Sequence, residues 1–328
     1  MPDDRLILVT GATGKVGRHF IGRLLADPDG GRVRALCHNR VLDESARLEV
    51  VRGSIADREV ARRAMTGVSH VVHLATCKET PEDVMDVTVR GLFWLLEEAR
   101  TAPSFSRFLL IGGDAGIGHF FYRREAPVTE DGPFMAYPGC YALSKVLEEV
   151  MLEQFGIQYD LDHCCLRAPW IMEKDDLRFA HSFGADQFGG PLYREMVPAD
   201  EAARHAAAGA VPILLDADGA PLKRNFVHVD DLASAILVAL DHPAARRQTF
   251  HVCMDEPLDY GAMAAYLAES RGVPSVPVAS PFHSVWLDNA KARLRLGWRP
   301  AYDLKRMVDS AWDHVRAAGD PRRVWYPG

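Results

Sequence analysis

The sequence predicts an α/β chain: a doubly wound parallel sheet joined to a smaller, mostly helical C-terminal part. Three observations carry that expectation. The apolar run Leu6-Ile7-Leu8-Val9 leads into Gly11, Gly14 and Gly17 at spacing G-x-x-G-x-x-G, and an amphipathic stretch over 16–25 follows. Strand-like and helix-like segments then alternate through the first half. That alternation implies a parallel sheet covered by helices on both faces. The pattern breaks over 173–223 and resumes at Asn225.

In chain order, strands are expected at 32–37, 48–51, 70–74, 107–111 and 161–166 after the first. Helical periodicity falls at 59–65, 81–101 and 141–155. The stretch 173–223 is rich in charge, glycine and proline, with one alanine-rich helical piece near 199–208. Irregular excursions of this length inside a compact protein usually serve function. A strand at 225–229, a helix at 230–240 and a strand at 250–253 complete the sheet pattern. The last seventy or so residues read mostly as helix, broken by Pro274, Pro277, Pro281 and Pro300. The expected division is 1–170 plus about 225–255 for the sheet domain. The second domain takes about 171–224 plus 256–328.

The 328 residues are 48% hydrophobic and 25% charged, which suits an ordinary core. A net charge of -7 argues against nucleic acid or an anionic membrane as partner. No apolar stretch reaches membrane-spanning length. The N-terminus is acidic and runs straight into the first strand, without a signal-peptide pattern, so the expected location is the cytoplasm. The six cysteines form no C-x-x-C pair and read as thiols in a reducing compartment. No histidine stands at metal-ligand spacing, so no metal is expected.

The glycine turn carries the first chemistry. Glycine lets a backbone approach a pyrophosphate closely, and the helix that follows aims free N–H groups at it. In a Rossmann-type sheet this is the dinucleotide site. Tyr141 and Lys145 carry the second. Four residues apart at a helix start, they share one face. A free phenol ionises near pH 10, so about one in a thousand is a phenolate at neutral pH. A nearby ammonium favours that form. Such a phenol can take a proton from a sugar hydroxyl as hydride leaves the carbon.

Together these residues resemble the extended short-chain dehydrogenase/reductase family, in its NAD-dependent epimerase/dehydratase branch. Further motifs carry the likeness across nearly the whole chain. Gly53-Ser54-Ile55 is similar to the family's adenine contact, with serine where aspartate is usual. His73-Leu74-Ala75 matches its H-x-A strand end, and Lys78 falls where sugar epimerases carry a lysine. Asn225-Phe226-Val227-His228-Val229-Asp230-Asp231-Leu232 resembles the Y-I-H-V-x-D-L segment. Asp288-Asn289-Ala290-Lys291-Ala292 with Leu296-Gly297-Trp298-Arg299-Pro300 resembles the closing signature. The resemblance implies an NAD(P) cofactor, a C-terminal substrate domain and a homodimer. The cofactor contacts it implies are Gly11, Thr13, Gly14, Lys15, Val16, Gly17, His38, Arg40, Ser54, Ile55, Leu74, Ala75, Thr76, Lys78, Tyr141, Lys145 and Pro169.

The departures bear on substrate. Family members carry serine or threonine where this chain has Gly113. Losing one such donor costs about 3 kcal/mol of transition-state stabilisation. Asp114 is the candidate replacement; the alternative is that it caps a turn. Arg224 matches a diphosphate-contacting arginine, while the second basic contact is absent from 279–284, and Trp170 and Phe282 join the pocket. One arginine in place of two leans the expectation towards a free sugar, sugar acid or polyol, with a nucleotide sugar as the alternative. Gly113, Trp170 and Arg224 are the expected substrate contacts. Cys37 occupies the position of the acidic ribose ligand, and His38 and Arg40 follow. That leans the cofactor towards NADP, with NAD as the alternative. The expected activity is NAD(P)-dependent oxidation or epimerisation at a carbohydrate hydroxyl, with Tyr141, Lys145 and Asp114 as catalytic groups. A cofactor sensor with little catalysis is the contrasting expectation.

Overall fold

The computed structural model describes residues 5–320 and 322. Its strands are β1 Leu6–Thr10, β2 Arg32–Cys37, β3 Leu48–Arg52, β4 His70–His73, β5 Arg107–Gly113 and β6 His163–Ala168. They continue as β7 Trp170–Met172, β8 Val211–Leu215, β9 Lys223–Arg224, β10 Phe226–His228, β11 Gln248–His251, β12 Leu258–Asp259 and β13 Ser275–Ala279. Seven of them form one sheet in the order β3-β2-β1-β4-β5-β6-β11. Every pairing in it is parallel. β1 is flanked by β2 and β4, so the chain order reverses there. A crevice opens at the C-terminal ends of strands at such a point, and ligands of this fold bind in it.

The sheet strands are apolar on both faces because both are covered. On one face, Phe20, Ile21 and Leu24 of the helix Lys15–Ala26 pack with Leu232 and Ile236 of the helix Val229–Asp241. On the other, Leu92, Leu95 and Leu96 meet Leu152 and Phe155 of the helix Cys140–Tyr159. The expected helix over 81–101 is interrupted. It runs α-helical over Pro81–Val84, widens to a π segment over Met85–Arg90 and returns to α-helix over Gly91–Ala99. The wide turn buries Thr88, whose hydroxyl accepts the Cys77 N–H at 2.8 Å. Periodicity does not reveal such a local register change, which commonly marks a site.

The smaller part has its own apolar cluster, including Phe183, Phe226, Tyr260, Met263, Leu267 and Val308. Short strand pairs add to its helices: β8 with β13, β9 with β12 and β7 with β10. Residues 290–298 pack back on the sheet domain. Ala292, Leu296 and Trp298 join the cluster around Leu232, and the Trp298 indole donates to the Ser234 hydroxyl at 2.9 Å. The six cysteines are free. Among the described residues, no helix is long and apolar enough to cross a membrane, and no group of His, Cys, Asp and Glu is placed to hold a metal ion.

His251, at the end of β11, is fully buried. Its Nδ1 lies 3.2 Å from the Asp288 carbonyl. Burial, aided by the Arg167 charge, pushes its pKa down to about 3. The imidazole therefore stays neutral in the fold while the unfolded chain protonates near the ordinary value of about 6.5. The stability it supports is complete above that value and is lost as pH falls towards 3. His251→Gln removes this titration. Between pH 7.5 and 5 the wild type should lose about 2 kcal/mol relative to the variant. Urea melts at the two pH values measure this, and a constant difference would contradict it.

Candidate active site

The site is a cleft of about 1000 Å³ over the C-terminal ends of β1, β2, β4, β5 and β6. At its floor, Gly11 takes φ +62° and packs against the end of β4. A Cβ there would lie 2.8 Å from the Leu74 carbonyl carbon. A Cβ on Gly17 would lie 2.5 Å from the Gly11 oxygen and 2.8 Å from Ala12 Cα. Both are closer than real side chains permit, so glycine is required for the turn to press the helix Lys15–Ala26 onto the sheet. No side chain caps that helix. Its first N–H groups and positive dipole end are thus available to an anion. The close-packed turn, the bare helix start and the long cleft fit a dinucleotide.

Every residue expected to contact cofactor or substrate lines this cleft. Gly11, Thr13, Gly14, Val16 and Gly17 form the turn. His38 and Arg40 lie beyond β2, Ser54 and Ile55 beyond β3, and Leu74, Ala75, Thr76 and Lys78 beyond β4. Tyr141, Lys145, Gly113, Asp114, Pro169, Trp170 and Arg224 lie towards the other end. Lys15 also lines the cleft. Its ammonium donates to the Ile171 carbonyl at 2.9 Å and pairs with Asp176. It ties the turn to the smaller part, leaving its backbone at the phosphate end.

Two ammonium groups lie near the Tyr141 ring. Lys78 Nζ is 3.9 Å from its centroid and Lys145 Nζ is 5.7 Å away. Lys145 is buried and held from below, with Glu148 Oε2 2.7 Å from its Nζ. Burial opposes its charge, but the Glu148 carboxylate outweighs that and raises its pKa above the ordinary lysine value. Glu148 also stands 3.7 Å from His73 Nε2. The Thr10 hydroxyl accepts from the N–H groups of Leu74 and Ala75 at 3.1 Å each. Its own hydrogen is then left for His73 Nδ1, 3.0 Å away, so the His73 proton sits on Nε2 and faces Glu148. A second buried pair, Arg167 with Glu149 at 2.8 Å, lies beside the first.

The opposite wall is aromatic: Phe120, Phe121, Tyr137, Trp170, Phe188 and Phe282 all line it. Arg224 is buried among them, 4.6 Å from the Phe120 centroid and 4.5 Å from that of Trp170. Asp114 is held by His119, whose other ring nitrogen meets Arg224. At Gly113 the backbone is extended, with φ −161°. A Cβ there would meet the Ala168 oxygen at 3.6 Å, an ordinary contact. Neither strain nor crowding therefore requires glycine at that position.

Comparison with known proteins follows this geometry. The model of the NAD-dependent epimerase/dehydratase family matches residues 7–253. The chain belongs to that family. It is similar to a UDP-glucose 4-epimerase of Mycolicibacterium smegmatis, with 29% identity over 94% of this chain and 98% of the relative. It is similar to a 3-diazoavenalumate denitrifying reductase of a Streptomyces species, with 26% identity over 90% of this chain and 96% of the relative. A solved short-chain dehydrogenase/reductase superfamily protein of Agrobacterium tumefaciens, with bound NAD, is 27% identical at a TM-score of 0.78. That match covers 94% of this chain and 96% of that one. The chain is thus an enzyme of the epimerase/dehydratase family with an NAD(P)-type cofactor. The lean towards a free sugar or polyol finds no support among these relatives, and the lean towards NADP is not confirmed by them.

Sequence reasoning missed His119, Glu148 and most of the aromatic wall. His119 follows Gly118 in an irregular stretch, and only the folded turn returns it to Asp114. Glu148 lies three residues beyond Lys145 on the same helix face, a spacing that would have revealed it. Glu148→Gln should cost about 3–5 kcal/mol of stability, because it leaves the buried Lys145 ammonium without its counter-ion. Equilibrium urea unfolding measures this, and a loss under about 1 kcal/mol would show the pair to be weak.

Proposed function

We propose that this enzyme oxidises, and in an epimerisation re-reduces, a hydroxyl-bearing carbon of a nucleotide-linked sugar, with Tyr141 as acid and base. The observation that carries the reading is the place of Tyr141: in the same cleft as the glycine turn, with the Lys78 and Lys145 ammonium groups 3.9 and 5.7 Å from its ring centroid. A bound NAD(P) supplies the hydride acceptor and donor. Tyr141 takes the substrate hydroxyl proton on its phenol oxygen and returns it in the reverse step. Lys145, fixed by Glu148, keeps positive charge 5.7 Å from the ring centroid. Lys78 holds a second positive charge over the ring.

Support for a nucleotide sugar comes from the full-length likeness to UDP-glucose 4-epimerase and from Arg224, a buried guanidinium suited to a phosphate oxygen. The aromatic wall favours a second reading, reduction of an aromatic compound, and the similarity to a 3-diazoavenalumate denitrifying reductase supports that class. The location fits the cytoplasm. Exposed Leu143, Val150 and Ile157 on the helix Cys140–Tyr159 suit pairing with a second copy.

The deciding experiment follows absorbance of the reduced cofactor with UDP-glucose, UDP-galactose, UDP-glucuronate and dTDP-glucose, and product exchange for epimerisation. At least one should turn over, and Tyr141→Phe should lower kcat by about a hundredfold or more. Normal turnover by that variant would overturn the role of Tyr141. Arg40 reports on the cofactor. If it meets a 2′-phosphate, Arg40→Ala weakens NADP binding by about tenfold and leaves NAD binding unchanged, as read by fluorescence titration. Equal effects on both would assign Arg40 elsewhere.

A further inference from the structure

Asp114, His119 and Arg224 form a row at the substrate end of the cleft. They come from the turn after β5 and from β9, 105 residues apart between His119 and Arg224. His119 Nδ1 meets Asp114 Oδ2, and His119 Nε2 meets Arg224 Nη2. The row has one polarity. A guanidinium only donates, so His119 Nε2 must be a bare acceptor. The ring proton is then on Nδ1 and is donated to the Asp114 carboxylate.

The contacts of the His119 side chain support a purpose for this arrangement. The residue adopts φ +47°, a left-handed conformation in which histidine, like asparagine and aspartate, is found more often than other side chains. Here the ring packs 4.1 Å from the Phe120 centroid, and the side chain is partnered at both nitrogens. The charged and titratable groups facing it are Asp114 on its own turn, Arg224 from β9, and Tyr137 at 6.4 Å between ring centroids. Burial and the Arg224 charge hold its pKa below the ordinary histidine value. Burial works against ionisation of Asp114, but His119 and Arg224 outweigh it and hold that carboxyl below its ordinary value.

We propose that His119 is a positioning residue for the substrate pocket: neutral and protonated on Nδ1, it receives a hydrogen bond from Arg224 and passes one to Asp114, fixing that carboxylate as an acceptor. The consequence is chemical. A serine or threonine hydroxyl at position 113 could donate or accept as its hydrogen rotates. The Asp114 carboxylate, held this way, only accepts. It therefore meets a hydroxyl donor on the ligand and repels a carbonyl oxygen. That makes Asp114 a poor substitute for the donor missing at Gly113 and a reader of a neighbouring hydroxyl. The assignment deepens the reading of this end of the cleft as the substrate pocket, yet its test uses ligand-free protein and no turnover, so the two fail separately.

The test is long-range 1H–15N correlation spectroscopy of the imidazole rings in uniformly labelled protein. His119→Asn identifies the ring by its missing signals; asparagine tolerates the left-handed backbone. In the wild type at pH 7 the His119 ring should show a protonated Nδ1 and a bare Nε2. In Arg224→Met the donor and its charge are gone while Asp114 remains. His119 should then become an imidazolium at a higher pH than in the wild type. A wild-type ring protonated on Nε2, or one that is an imidazolium at pH 7, would overturn the proposal. So would a titration unaffected by loss of Arg224.

Discussion

The close approach at the first turn governs the rest of the molecule. Gly17 sits so near the Gly11 carbonyl that a single added carbon would fall 2.5 Å from its oxygen. Only with both glycines can the helix Lys15–Ala26 start at the end of β1 and direct its unpaired N–H groups along the sheet edge. Gly11 in turn admits the backbone of Leu74 and Ala75. Their N–H groups are gathered by the Thr10 hydroxyl, the last residue of the same strand. The floor of the cleft is thus assembled from β1 and β4 by contacts that leave no room for larger residues. The nucleotide end of the site is a consequence of this packing.

A second layer supports the helix Cys140–Tyr159. Lys145, Glu148, Glu149 and Arg167 are all buried, a costly arrangement unless every charge has a partner. Lys145 is paired to Glu148 at 2.7 Å and Arg167 to Glu149 at 2.8 Å. Hydrophobic residues of the same volume would serve stability as well or better. What they would not supply is an ammonium held at fixed distance from the Tyr141 ring. The same logic extends to the far wall, where Arg224 lies among aromatic rings that hold its guanidinium by its faces.

Much of this was legible in the chain. The glycine turn, the alternation of elements and the Tyr141–Lys145 spacing are local signals, and they led to the parallel sheet and to the residues that line the cleft. Arg224 was legible because it precedes a recognisable segment. Three features were not. The π segment over Met85–Arg90 depends on where Thr88 must point, which is a tertiary demand. The aromatic wall gathers residues from 120, 121, 137, 170, 188 and 282, and no periodicity links them. His119 reads as one of many scattered histidines until the turn after β5 folds it back on Asp114. The smaller part was legible only in outline, since Pro212 and Pro277 disguise the paired strands β8 and β13.

The central claim is that a dinucleotide lies along the C-terminal ends of the strands with its reactive end at Tyr141. Isothermal titration of NAD+ and of NADP+ into the folded protein tests it most directly. The account predicts saturable binding of one coenzyme per chain for at least one of the two, abolished by Gly17→Val. Well-folded protein that takes up neither coenzyme at millimolar concentration would contradict it.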